Sequence, residues 1–143
     1  MIEPLQFTVP GQPVGKGRPR IGRVGAHARM FTPEKTASYE SLVKHAAHVA
    51  MAGAKPIEGA CGVRMRITLS VPASWSKKKQ AQALAGAVRP TTKPDADNVV
   101  KAVFDGMNGV VWRDDVQAVD LAVRKRYGAT PGVVVNVQAL DAA

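Results

Sequence analysis

Acid is scarce in this chain. Of its 143 residues, 11 are Asp or Glu against 20 Lys or Arg, a formal net charge of +9. Cysteine is nearly absent as well: Cys61 stands alone, which excludes an intrachain disulfide and a thiolate zinc cluster. No stretch reaches the roughly 18 apolar residues of a spanning helix, and no basic segment carries the apolar face of an interfacial one. Met1 is followed by "IEPLQF", without the charged start and apolar run of a secretion signal, so a cytoplasmic location is expected. No internal repeat or low-complexity segment divides the chain. Its length suits one domain, residues 1–143, with a real core. The surplus of positive charge points to a polyanionic partner, nucleic acid before an anionic membrane surface.

Periodicity places the elements. "LQFTV" (5–9) alternates apolar and polar residues as a half-buried strand does. Residues 10–29 break every regular pattern with Gly and Pro while supplying Lys16, Arg18, Arg20, Arg23 and Arg29, and read as a mobile basic loop. Thr32 and Pro33 read as the cap and first residue of a helix that runs to Gly53. In "CGVRMRITLSV" (61–71), Val63, Met65, Ile67, Leu69 and Val71 take one face of a strand. Ser76 caps a short polar helix ending at Gly86. Asp97 or Asn98 caps another, through "NVVKAVFDGMN", with Val99, Val100, Val103 and Phe104 facing inward. "VVW" (110–112), "AVDLAVRKRY" (118–127) and "GVVVNVQAL" (132–140) read as strands, the last two joined by the turn residues of "GATPG". The expected fold class is α+β: a single small domain with a mixed, largely antiparallel sheet packed with helices.

The acids gather where the basic excess makes them least expected. "KPDADNVVKAVFDGMNGVVWRDDVQ" (93–117) holds Asp95, Asp97, Asp114 and Asp115 around Lys101. Asp95 and Asp97, two apart at a helix start, can aim carboxylates at one point if the backbone between them is extended, and a return strand would bring Asp114 and Asp115 alongside. Such a set suits Mg²⁺, which takes one or two carboxylates plus waters and substrate phosphates. Two such ions about 3.5 to 4 Å apart clamp the attacking and leaving oxygens of a phosphodiester. The structural alternative is ordinary: an Asp at a helix cap, Lys101 as the ion-pair partner of Asp97 one turn on, and a turn at Asp114-Asp115. A D-x-D step alone is shared with nucleotide-sugar transferases. An EF-hand loop is excluded, because Val99 and Val100 occupy the positions of a ligand and the turn glycine.

The whole stretch resembles the RusA family of Holliday-junction resolvases, whose signature is D-x-D-N-x-x-K, a helix, an aromatic and D-D-x-Q. "GKGRPR", "FTPEKTASYE" and "VPASWSKKK" are also similar to phage-borne members. The resemblance implies a homodimer of small mixed α/β subunits that cuts four-way DNA symmetrically. It implies catalytic aspartates at Asp95, Asp97 and Asp115 ligating Mg²⁺, with Mn²⁺ able to substitute, an essential lysine at Lys101, and supporting residues at Asn98 and Asp114. An ammonium at Lys101 would meet charge building on phosphoryl oxygens. Lys93 and Pro94 precede Asp95 with no aromatic there, so no residue is nominated for opening the junction.

Lys16, Arg18, Arg20 and Arg23 are expected to contact DNA phosphates. Arg124, Lys125 and Arg126 extend that surface only where strand alternation lets them face DNA. "GRPR" (17–20) is also the core of an AT-hook, which leaves a non-enzymatic DNA-binding accessory protein as the alternative of a different class. A branched-DNA nuclease of looser structure preference is the alternative among enzymes. Lys77, Lys78 and Lys79 read as a solvated helix face. His45 and His48 lack further ligands for a metal site, and Trp75 and Trp112 read as core or interface residues.

Overall fold

The structure, a computed structural model, describes residues 4–17, 20–24, 27–31 and 33–140, the segments between 20 and 31 as backbone. Four strands form the main sheet: β1 (Leu5–Pro10), β4 (Cys61–Ser70), β5 (Ala118–Gly128) and β6 (Gly132–Ala139), in the order β1-β6-β4-β5. β6 runs antiparallel to both β1 and β4, and β5 runs parallel to β4. The sheet is thus mixed and mostly antiparallel, as expected. The "GATPG" link does not close a hairpin; it carries the chain across β4, which lies between β5 and β6.

Helix α1 (Glu34–Met51) buries Thr36, Tyr39, Val43, Ala47 and Met51, a stripe repeating every three or four residues. Its N-cap is Pro33, whose missing N–H costs nothing there; Thr32 lies outside the described residues. α3 (Ala96–Met107) buries Val99, Ala102, Val103, Gly106 and Met107 on one side. The two helices meet at Gly106, where an added Cβ would stand 2.6 Å from Val43 Cβ and 2.8 Å from the Glu40 carbonyl oxygen. Both stripes join the sheet's inner face, built from Phe7, Val9, Val63, Met65, Ile67, Val133, Val135 and Val137, in one core. The short helix α2 (Lys77–Leu84) starts as the sequence suggests, with Ser76 Oγ accepting from the Lys79 N–H. Among the described residues, no helix is long and apolar enough to cross a membrane.

Three local expectations fail. The supposed loop at 10–29 contains a hairpin, β2 (Arg20–Val24) against β3 (His27–Phe31), registered from Arg20 opposite Phe31 to Val24 opposite His27. Its signal was present in Ile21, Val24, Met30 and Phe31 at two-residue-loop spacing, masked by flanking glycines and prolines. "VVW" is no strand. Gly109 at φ +79° lets the chain fold back, and the Val110 and Val111 N–H groups both donate to the Met107 carbonyl. Val110, Val111 and Trp112 are buried within this turn, whose strand-like pairing is limited to isolated bridges from Trp112 to Ile57 and Asn108. Finally, α3 begins at Ala96, so Asp95 and not Asp97 or Asn98 holds the N-cap position.

Candidate active site

Asp95 sits at the mouth of α3 in extended backbone (φ −66°, ψ 140°), yet its side chain makes no cap hydrogen bond. Asp97, in the first turn, is exposed, and so is Lys101 one turn later. Among the described residues, Lys101 and Asp97 form no ion pair, since the salt bridges there all belong to Lys16. These carboxylates therefore lack both of the structural duties that ordinary helix chemistry would assign them.

The loop that carries Asp95 is held from two sides. Lys125 Nζ donates to the carbonyls of Thr92 (2.9 Å) and Pro94 (3.1 Å). On the other side the Lys16 N–H donates to the Asn98 carbonyl at 2.8 Å. Gly15 allows that approach, because an added Cβ would stand 3.2 Å from Asn98 Cβ. Between these walls lies a cleft of about 1030 Å³ lined by Lys16, Lys35, Lys93, Asp95 and Asn98, among others.

The Lys16 ammonium, expected on phosphate, is instead shared by Asp105 Oδ2 (2.7 Å) and Glu40 Oε1 (2.8 Å). Partial burial opposes its charge, but the hydrogen bonds and charges of those carboxylates outweigh it and raise its pKa above the ordinary lysine value. Lys16 thus ties the loop before β2 to α1 and α3. Of the other expected DNA contacts, Arg18 and the side chains of Arg20 and Arg23 lie outside the described residues.

Asp115 belongs to the other end of α3. Past Asn108 the chain turns back and forms a single 3₁₀ turn, Asp115–Gln117. Asp114 caps it, with Oδ1 accepting from the Asp115 N–H at 2.7 Å. Gln117 closes the box: its Oε1 accepts from the Arg113 and Asp114 N–H groups, and its Nε2 donates to the carbonyls of Ile57 and Gly59. Asp115 Oδ2 accepts from Asn108 Nδ2 at 3.4 Å, and Asn108 Oδ1 accepts from the fully buried Trp112 indole at 2.7 Å. Sequence reasoning did not mark Asn108, and it named Lys125 only as a cation that could extend the DNA surface, whereas the structure commits it to the Asp95 loop. Asn108 sits in an ordinary helix-end position, and Lys125 is one cation among three.

Within one chain the Asp95-Asp97 pair and Asp115 do not meet. They flank a helix of 12 residues, about 18 Å at 1.5 Å per residue, and the expected return strand is replaced by the turn that keeps Asp114 and Asp115 at the far end. Among the described residues, no three His, Cys, Asp or Glu side chains are grouped so as to hold a metal ion. The donor chemistry still fits a hard divalent cation, which needs only one or two carboxylates beside water and phosphate oxygens.

The profile of the family described as "Endodeoxyribonuclease RusA" matches residues 10–138. The chain belongs to the RusA endodeoxyribonuclease family. It is also 36% identical over 143 positions to "Uncharacterized protein YqaN" of Bacillus subtilis (strain 168), an alignment covering 96% of this chain and 98% of that relative. The RusA match takes in the cleft, α3 and the Asp115 turn together.

Proposed function

We propose that this RusA-family chain resolves four-way DNA junctions by paired phosphodiester cleavage, acting as a homodimer that requires Mg²⁺ or Mn²⁺. The observation that carries the reading is that Asp95 and Asp97 are kept exposed and without a structural partner among the described residues of a chain charged +9. Without a cation they would repel DNA; with one they recruit phosphate. Bound Mg²⁺ supplies charge neutralisation at the scissile phosphate. Asp95, Asp97 and Asp115 are the proposed ligands, Lys101 the cation facing the reacting phosphoryl group, and Asn98 and Asp114 the supports that position them.

Because α3 separates Asp115 from Asp95 and Asp97, two chains are needed to bring all three aspartates to one ion. A stripe of exposed apolar residues begins directly after Asp115, at Val116, and continues through Val119, Leu121 and Val123 of the edge strand β5. Pairing two copies there places each Asp115 at the interface.

Synthetic four-way junctions, flaps and linear duplex, incubated with and without Mg²⁺, test the activity; metal-dependent paired cuts confined to the junction are expected. Mixing Asp97→Asn chains with Asp115→Asn chains tests the shared site. Each variant alone should be inactive, and the mixture should regain nicking, since one of its two sites then holds every ligand. A mixture as inactive as its parents would refute the shared site, and equal cutting of linear duplex would refute junction resolution.

A further inference from the structure

The sheet face turned away from α1 and α3 carries a cluster of arginines that the catalytic reading does not use. Alternation puts Arg64 and Arg66 of β4 on that face, opposite Val63, Met65 and Ile67 in the core. The parallel register sets Arg66 beside Arg124 and Thr68 beside Arg126, so Arg124 and Arg126 share the face, while Lys125 lies beside Ile67 on the other. All four arginines are exposed, and among the described residues none makes an ion pair. Among the described residues of these strands, Asp120, opposite Gly62 near the start of β5, is the acid on the same face.

Like charges directly opposite on neighbouring strands destabilise a sheet. Arg66 beside Arg124 is such a pair, set on strands about 4.8 Å apart. The neighbouring strands contribute neutral groups to these rows, Asn136 and Gln6 beside Arg64, Val134 and Thr8 beside Arg66. What lies between the arginines is a shallow depression of about 460 Å³ lined by Arg64, Arg66, Arg124, Val134 and Asn136. A flat, uncompensated guanidinium array suits an extended polyanion, since Arg pairs bidentately with phosphate. It does not enclose a small one.

We infer that this face binds the phosphate backbone of a duplex DNA arm, a second contact surface separate from the cleft at Asp95. The inference rests on the reading of the chain as a DNA enzyme. The face adds affinity and orientation without base readout, as backbone contacts do.

The test is the salt dependence of junction binding, measured in Ca²⁺, for wild type and an Arg66→Gln/Arg124→Gln double variant. Losing two phosphate contacts should lower the magnitude of the log K against log salt slope by about 1.8, while the melting temperature holds or rises because a like-charge pair is gone. A Lys77→Gln/Lys78→Gln variant, with the same change in net charge on the surface of α2, should keep the wild-type slope. An unchanged slope in the arginine variant, or an equal loss in the lysine variant, would overturn the inference. Binding is read without cleavage, so the two readings fail separately. Wild type that binds but never cuts would remove the nuclease reading, whereas wild type that cuts beside an arginine variant of unaltered slope would remove this surface.

Discussion

The buried indole of Trp112 donates to Oδ1 of Asn108 at 2.7 Å, and that bond turns the amide nitrogen of Asn108 toward Asp115. The Trp112 ring is itself fixed edge-on to Phe104, centroids 5.0 Å apart. Core packing is thereby transmitted through one amide to a carboxylate of the proposed site. Asn108→Ala should cost about 1 to 3 kcal/mol, because it leaves a buried N–H unsatisfied. Trp112→Phe removes the donor and frees the amide to rotate. Both variants should need more Mg²⁺ for half-maximal cleavage while binding junction DNA as wild type does. An unshifted metal requirement in both would make Asn108 a purely structural residue.

Removing the charge of a proposed ligand should separate cutting from binding. Asp95→Asn, Asp97→Asn and Asp115→Asn are each expected to abolish cleavage yet keep or raise junction affinity, since each deletes a ligand and also a charge that repels phosphate. Gel-shift and cleavage assays on the same preparations check this. Near wild-type turnover in any one of them takes that residue out of the site. Ca²⁺, larger and looser in coordination, should support binding with little turnover.

Lys16 and Tyr39 predict an alkaline limit to stability. Both have folded-state pKa values raised above their ordinary values of 10.5 and 10.0, Lys16 through Asp105 and Glu40 acting against burial, and Tyr39 through burial of its phenol. For a raised pKa, the stabilising contribution is complete below the unfolded value and is lost as pH rises through the folded one. Melting temperature should therefore hold between pH 7 and pH 9, on the order of one unit below the first titration, and fall above pH 10.0. A Lys16→Met/Tyr39→Phe double variant should show a shallower fall, and a slope equal to that of wild type would assign the alkaline limit elsewhere.

The β5 stripe should govern assembly. Leu121 and Val123 are 49% and 41% exposed on an edge strand, so Leu121→Glu/Val123→Glu should leave the chain folded but monomeric by light scattering. It should also be inactive if the site is shared as proposed, since a lone chain would then lack one of the proposed ligands. A monomer that still made both cuts would dissolve the argument for a shared site.

Local chemistry determined much of this protein directly. Alternation in residues 61–70 sufficed to define a strand with one core face and one arginine face, and Ser76 sufficed to start α2, because side-chain period and capping act between neighbours in sequence. The spacing of Asp95, Asp97, Lys101, Asp114 and Asp115 was equally legible as a family signature. What those residues do was decided by contacts between elements far apart in the chain. Spacing could not reveal that Lys16 would be claimed by Asp105 and Glu40, or that Lys125 would leave the surface for the Asp95 loop. Nor could it tell that "VVW" would be buried as a turn, because composition is the same in a buried turn and a buried strand. Only the tertiary structure measured the length of α3 between Asp95 and Asp115, since a signature records order along the chain whereas a metal site depends on distance in space.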